Sequence, residues 1–218
     1  MLPSPLPATY AIGDIHGEVS LLRQLMALLP HTPADTIVFL GDYLDRGEDS
    51  LATIRYLIAL QQTLPHVVFL RGNHEDAWLS HWDGVEFTGS SLLDSTGALS
   101  DAAGGHIPYE VGHFLEETVL DYEDEHAIYV HAGLPPGQPP GKTADIDKMW
   151  GPHGFLISDY HWGKTVVFGH MTFDQPLLQP NKIGIDTGAY ATGVLTAVRL
   201  PDRAIFQTPG KRSTAGAS

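Results

Sequence analysis

The stretch "IVFLGDYLDRGEDSLATIRYLIALQQTLPHVVFLRGNHE", Ile37 to Glu75, decides the fold. An apolar run ends at Gly41 and breaks at once into Asp42, Asp45, Arg46 and Asp49. Leu51, Ile54 and Ile58 then recur at helical spacing, with Asp49 or Ser50 placed to cap. A second apolar run, "HVVFL", ends in Asn73, His74 and Glu75. Strand, helix and strand in this order predict a parallel pair with a right-handed crossover. Ligand sites in open α/β sheets lie beyond the carboxyl ends of the strands, where these polar clusters stand.

The same grammar extends towards the N-terminus. "ATYAIGD" (8–14) reads as a buried strand ending in Asp14, with His16 just beyond. Val19, Leu22, Leu25, Met26 and Leu29 mark one face of a helix that Pro30 closes. "HEDAWLSHW" (74–82) reads as a third helix, so the N-terminal half is βαβαβ. Residues 83–112 are rich in Gly and Ser, weakly periodic, and expected to form a cap or loop insertion beside the site. Short strands are expected at 126–133, 164–170, 182–186, 194–200 and 204–208, with a Pro/Gly loop over 134–142. Residues 1–208 are expected to form one domain and 209–218 a flexible tail.

Composition narrows the function. The net charge of −14 disfavours nucleic-acid partners, because such a field repels a phosphate backbone. No run approaches the ~20 apolar residues of a membrane span, and "MLPSPLPATY" lacks the charge and apolar core of a secretory signal. Cysteine is absent, so disulfides and thiolate metal sites are excluded, and the cytoplasm is the expected location.

Five strand ends carry the chemistry: "GDIHG" (Asp14, His16), "GDYLDRG" (Asp42, Asp45, Arg46), "GNHE" (Asn73, His74, Glu75), "HAG" (His131) and "GH" (His170). Asp, His and Asn without sulfur suit divalent Mn, Fe or Zn. Six of these side chains, Asp14, His16, Asp42, Asn73, His131 and His170, exceed what one catalytic ion with an open position takes, and suit two ions sharing a carboxylate. Asn73 is informative because the chain has only two asparagines, and an amide oxygen can ligate without adding charge.

This motif set resembles the calcineurin-like metallophosphoesterases, and "GDYLDRG" with "LRGNHE" looks most like the PPP-type Ser/Thr protein phosphatases, bacterial and phage members included. The resemblance runs from Tyr10 to about Leu200. It implies an α/β fold, a β-sandwich of mixed sheets flanked by helices. It implies two divalent ions, manganese first: Asp14 and His16 on one, Asn73, His131 and His170 on the other, Asp42 bridging, and a shared hydroxide as nucleophile. It implies His74 as the acid that protonates the leaving group, Asp45 as the carboxylate that tunes it, and Arg46 and Asn73 as phosphate contacts.

One departure stands out. Where the family carries a second phosphate-binding arginine after a tryptophan, this chain reads "DKMWGPHGF" (147–155), with Pro152 at the expected position, and no arginine occurs between Arg71 and Arg199. Lys148 is the expected substitute, although a lysine lacks the bidentate fork. The expected activity is hydrolysis of phosphomonoesters, on phosphoserine or phosphothreonine proteins or small esters. Dinucleoside polyphosphate hydrolysis and phosphodiester cleavage are the alternatives. Enzymes of the former kind typically replace the "DRG" aspartate and end in "NHD", so Asp45 and Glu75 favour the monoester. A non-catalytic binding module is disfavoured because every ligand slot is filled.

Overall fold

In the computed structural model, which describes residues 7–94 and 97–210, alternation along short strands sets the layers. β1 (Thr9–Ile12) and β2 (Thr36–Phe39) send Tyr10, Ile12, Ile37 and Phe39 to a core shared with helices. Ala11 and Val38 face the other way, into a core shared with Tyr129, Val167 and Ile183. Both faces are thus buried, which is why these strands read as continuous apolar runs.

α1 (Val19–Leu28) follows β1, and α2 (Ser50–Thr63) connects β2 to β3 (Val67–Phe69). Asp49 caps α2, its Oδ1 accepting from the Ala52 N–H at 2.8 Å. α3 (Asn73–Leu79) begins on the polar cluster that ends β3. Parallel pairing of β1 with β2 and of β2 with β3 matches the expected βαβαβ half.

The segment 83–112 contains α4 (Ala98–Ala102) and the start of α5 (Tyr109–Glu116). α5 departs from the sequence reading: Val111, Phe114 and Leu115 pack it into the helical core. Gly112 obscured the helix, and it is needed there because a Cβ would come within 2.4 Å of the Trp82 ring.

The second half supplies β4 (Asp121–Glu123), β5 (Ala127–Val130), α6 (Asp145–Trp150), β6 (Thr165–Phe168), β7 (Leu177–Leu178), β8 (Lys182–Gly184), α7 (Ala189–Thr192), β9 (Thr196–Leu200) and β10 (Ala204–Gln207). One sheet has the order β10-β9-β1-β2-β3 and the other β4-β5-β6-β8-β7. Both are mixed: in the first, the parallel trio β1-β2-β3 runs to one edge and antiparallel β9 and β10 extend the other; in the second, β5-β6-β8 are parallel and central, with β4 and β7 antiparallel at the edges. The sheets pack face to face, as the α/β sandwich expectation required. No helix among the described residues is long and apolar enough to cross a membrane. Of the expected 209–218 tail, residues 211–218 lie outside the described residues.

Candidate metal centre

The parallel strands of both sheets deliver their carboxyl ends to one place. Asp42, just past β2, sits at its middle: Oδ2 lies 3.6 Å from His16 Nε2, and Oδ1 lies 3.4 Å from His131 Nε2. Asn73 Oδ1 accepts from His131 Nε2 at 3.1 Å and from His170 Nδ1 at 3.0 Å. The backbone N–H of His170 donates to both Asp14 oxygens, at 3.1 and 3.0 Å. Potential ligand atoms fall into two groups, His16–Asp42–His74 and Asp42–His131–His170, with all atoms within 4.8 Å of one another in each. Asp42 belongs to both.

Local backbone strain accompanies the site. His16, Asp42, Asp45, Arg46 and His170 all have φ between 47° and 67°. Left-handed conformations in non-glycine residues persist only where surrounding structure enforces them. Two glycines permit the approach of buried carboxylates: a Cβ on Gly72 would lie 2.1 Å from Asp42 Oδ1, and one on Gly169 would lie 2.1 Å from Asp14 Oδ1. Glu75 closes the loop from within, accepting from the N–H groups of Asp42 (2.7 Å), Tyr43 (2.8 Å) and Gly72 (2.9 Å).

The donor set fits divalent cations. His16 Nδ1 and His131 Nδ1 contact the carbonyls of Leu44 and Leu40 at 2.8 and 2.7 Å, so each ring turns Nε2 towards the cluster. Asp14 and Asp42 are buried beside Asp186, a concentration of carboxylate for which a cation is the natural partner. Burial and then the Asp186 charge hold Asp14 well above the usual carboxylate range. Burial opposes ionisation of Asp42 as well, but the charges of His131, His16 and His74 outweigh it and hold Asp42 low.

Burial also pulls His131 down, yet the Asp42 carboxylate outweighs it and raises the imidazole to about 10. Burial and the His131 charge push His170 down to about 4. Metal ligation requires neutral imidazole and ionised carboxylate, so Mn²⁺ binding at pH 7 is expected to displace protons, that of His131 among them. Calorimetry in two buffers of different ionisation heat measures this. A binding heat independent of the buffer would contradict it.

His74 sits beside the donors on α3. Its Nδ1 lies 2.6 Å from Asp45 Oδ2 and its Nε2 lies 4.0 Å from Asp42 Oδ2. Burial lowers its proton affinity, but the Asp45 hydrogen bond and the Asp42 charge outweigh burial and raise it. Arg46 is exposed, with Nη2 3.4 Å from His74 Nε2. Asp14, His16, Asp42, Asp45, Arg46, Asn73, His74, His131 and His170 are therefore drawn together, from five strand ends.

Lys148 is not drawn in. Its ammonium is buried and paired with Asp121 at 2.7 Å. Its carbonyl instead accepts from Ala132 N at 2.7 Å, bracing the turn after His131. Lys182 donates to three carbonyls of 155–158, and Arg71 holds Thr118 and Glu116. Two site residues were missed. Asp186 ends the run through β8 as Asp14 ends the one through β1, a parallel the string "GIDTG" displays. Tyr190 accepts from Arg46 Nη1 at 3.2 Å and stands edge-on to His16 at 5.6 Å. It lies on the four-residue helix α7, too short for periodicity to reveal.

Two mixed sheets packed face to face and flanked by helices, with a donor cluster at their shared end, form a metallophosphoesterase-type fold. Residues 8–185 match the sequence model of the calcineurin-like phosphoesterase family, and the chain belongs to that family. It is a hydrolase acting on phosphate esters, in a family that uses divalent metals. It is 29% identical over 207 residues to serine/threonine-protein phosphatase 2 of Salmonella typhimurium, covering 88% of this chain and 92% of that one. It is 31% identical over 147 residues to the symmetrical bis(5'-nucleosyl)-tetraphosphatase of Pseudomonas putida, covering 65% of this chain. The chain spans about half the length of that relative (49%). A solved structure of a candidate diadenosine tetraphosphatase superposes with a TM-score of 0.76 at 24% identity, covering 97% of both chains.

Proposed function

We propose that the chain is a cytoplasmic phosphomonoesterase, acting on phosphoserine or phosphothreonine in proteins or on small phosphate esters with two Mn²⁺ ions. The observation that carries this reading is the Asp45–His74 pair at 2.6 Å, set beside Asp42 and within reach of Arg46. Asp14 and His16 would hold one ion, Asn73, His131 and His170 the other, and Asp42 both. When bound, the ions neutralise phosphate charge and activate water for attack on phosphorus. His74 Nε2 faces the cluster and delivers a proton to the leaving alkoxide, while Asp45 holds Nδ1. Arg46 directs its guanidinium at the phosphate oxygens, and Tyr190 steadies it from behind.

A second reading rests on the cleft beside His170. Trp150, Pro152, His153, Ile157 and Met171 line about 350 Å³ there, without arginine or lysine. Such a cleft suits an uncharged group beyond the phosphate, such as the second ester arm of a phosphodiester or a nucleoside of a dinucleoside polyphosphate. A panel with Mn²⁺ present separates the readings: phosphoserine, phosphothreonine and phosphotyrosine peptides, 4-nitrophenyl phosphate, an aryl diester and diadenosine tetraphosphate. The monoesters are expected to give the highest kcat/KM. A strong preference for the diester or the tetraphosphate would replace the first reading.

Arg46→Ala is expected to lower kcat/KM on an aryl phosphate by about 10²-fold, with KM rising and kcat falling. Steady-state kinetics measure it. Wild-type constants in the variant would place the phosphate clamp elsewhere.

A further inference from the structure

We propose that Trp78 is a positioning residue for the acid, and that residues 83–112 hold it in place through Phe87. This rests on the reading of His74 as the proton donor. Asp45 is fully buried, and among the described residues no lysine or arginine pairs with it. A buried carboxylate needs donors on both oxygens. Oδ2 faces His74 Nδ1 at 2.6 Å, and Oδ1 accepts from the indole N–H of Trp78 at 2.9 Å. Held at one oxygen only, the carboxylate could swing; held at both, its plane is set and the imidazole with it. The Asp45 backbone is pinned separately, its N–H donating to Ser50 Oγ at 2.9 Å.

The indole is itself wedged. Trp78 stands edge-on to Phe87, with centroids 5.5 Å apart and planes at 85°. Phe87 pairs with Trp82 as an isolated bridge and packs on its ring at 4.9 Å. Trp82 rests on Tyr109 at 5.7 Å and on the bare face of Gly112. The Gly/Ser-rich segment thus reaches the acid through a short file of rings. Packing alone does not require the Trp78 bond: in the same cluster Trp82 Nε1 is buried without a partner among the described residues. A phenylalanine at 78 would fill much of the same space and keep the Phe87 contact, but could not donate.

Trp78→Phe in the 218-residue, Mn²⁺-loaded chain tests this with two substrates that differ in their need for a proton. Phenolate is a far stronger base than 4-nitrophenolate and depends more on the acid. On phenyl phosphate kcat is expected to fall about tenfold with KM unchanged; on 4-nitrophenyl phosphate, less than about threefold. Phe87→Leu is expected to give the same unequal loss, smaller in size. Equal losses on the two substrates, or none, would overturn the role of Trp78. A wild-type chain that turns over neither ester would overturn the underlying reading and the proposal with it. The second measurement does not use activity. Of the four indole N–H resonances in a ¹⁵N-labelled chain, the one that Trp78→Phe deletes is expected to move in Asp45→Asn. Its staying in place would show that the bond is absent.

Discussion

His74→Asn is expected to lower kcat on a phosphoserine peptide by about 10³-fold and to leave KM within a few-fold of wild type. Expulsion of a serine alkoxide without a proton is costly, and general acids commonly contribute 10²–10⁴. Asparagine is similar in size to part of the ring but carries no titratable proton. On the proposed mechanism the effect should exceed that of Arg46→Ala, because Arg46 would share phosphate neutralisation with the metals whereas His74 alone is read as the proton donor. His74 also falls within one of the two donor groups, with His16 and Asp42. Mn²⁺ titration of the variant therefore separates the two roles. Unchanged ion binding with lost turnover marks an acid; a lost ion marks a ligand; unchanged turnover removes His74 from the reaction.

Asp42→Asn is expected to weaken Mn²⁺ binding by well over about 100-fold and to bring turnover to the limit of detection. Changes even to groups that merely support metal ligands cost 10–100-fold, and Asp42 is the residue common to both donor groups. The amide removes the charge that holds His131 protonated, so a second signature follows in the metal-free chain. His131 is raised to about 10. A raised group contributes stability that is complete below its unfolded value of ~6.5 and is lost as pH climbs through the folded value. Metal-free wild type should therefore lose this contribution between pH 6.5 and about 10. The variant should be less stable than wild type at pH 6, with the gap closing towards pH 10. Chelator-treated samples melted across that range measure it, and a gap that widens with pH would contradict the pairing.

Much of this was legible in the sequence because two periodicities and one recurring punctuation mark survive in it. The buried parallel strands read as apolar runs since both faces are covered, Tyr10 by helices and Ala11 by the opposite sheet. β1, β2, β3 and β6 each run into Gly followed by a candidate ligand (Asp14, Asp42, Asn73, His170), and Gly72 and Gly169 are required by the close approach of Asp42 and Asp14. α5 was not legible because Gly112 serves a distant ring rather than its own helix. Lys148 looked available beside Trp150, yet its partner Asp121 lies on β4, a three-residue strand without a pattern of its own. Tyr190 and Trp78 act across the fold, on Arg46 and Asp45, and no local spacing announces such contacts.

The most direct test is the stoichiometry of Mn²⁺ binding, followed by titration calorimetry and by metal analysis of the dialysed chain, with phosphomonoester turnover recorded at each point. Two ions per chain are expected, with turnover appearing as the second site fills and vanishing on chelation. Full turnover with a single ion, or with none, would contradict a shared two-ion centre built on Asp42.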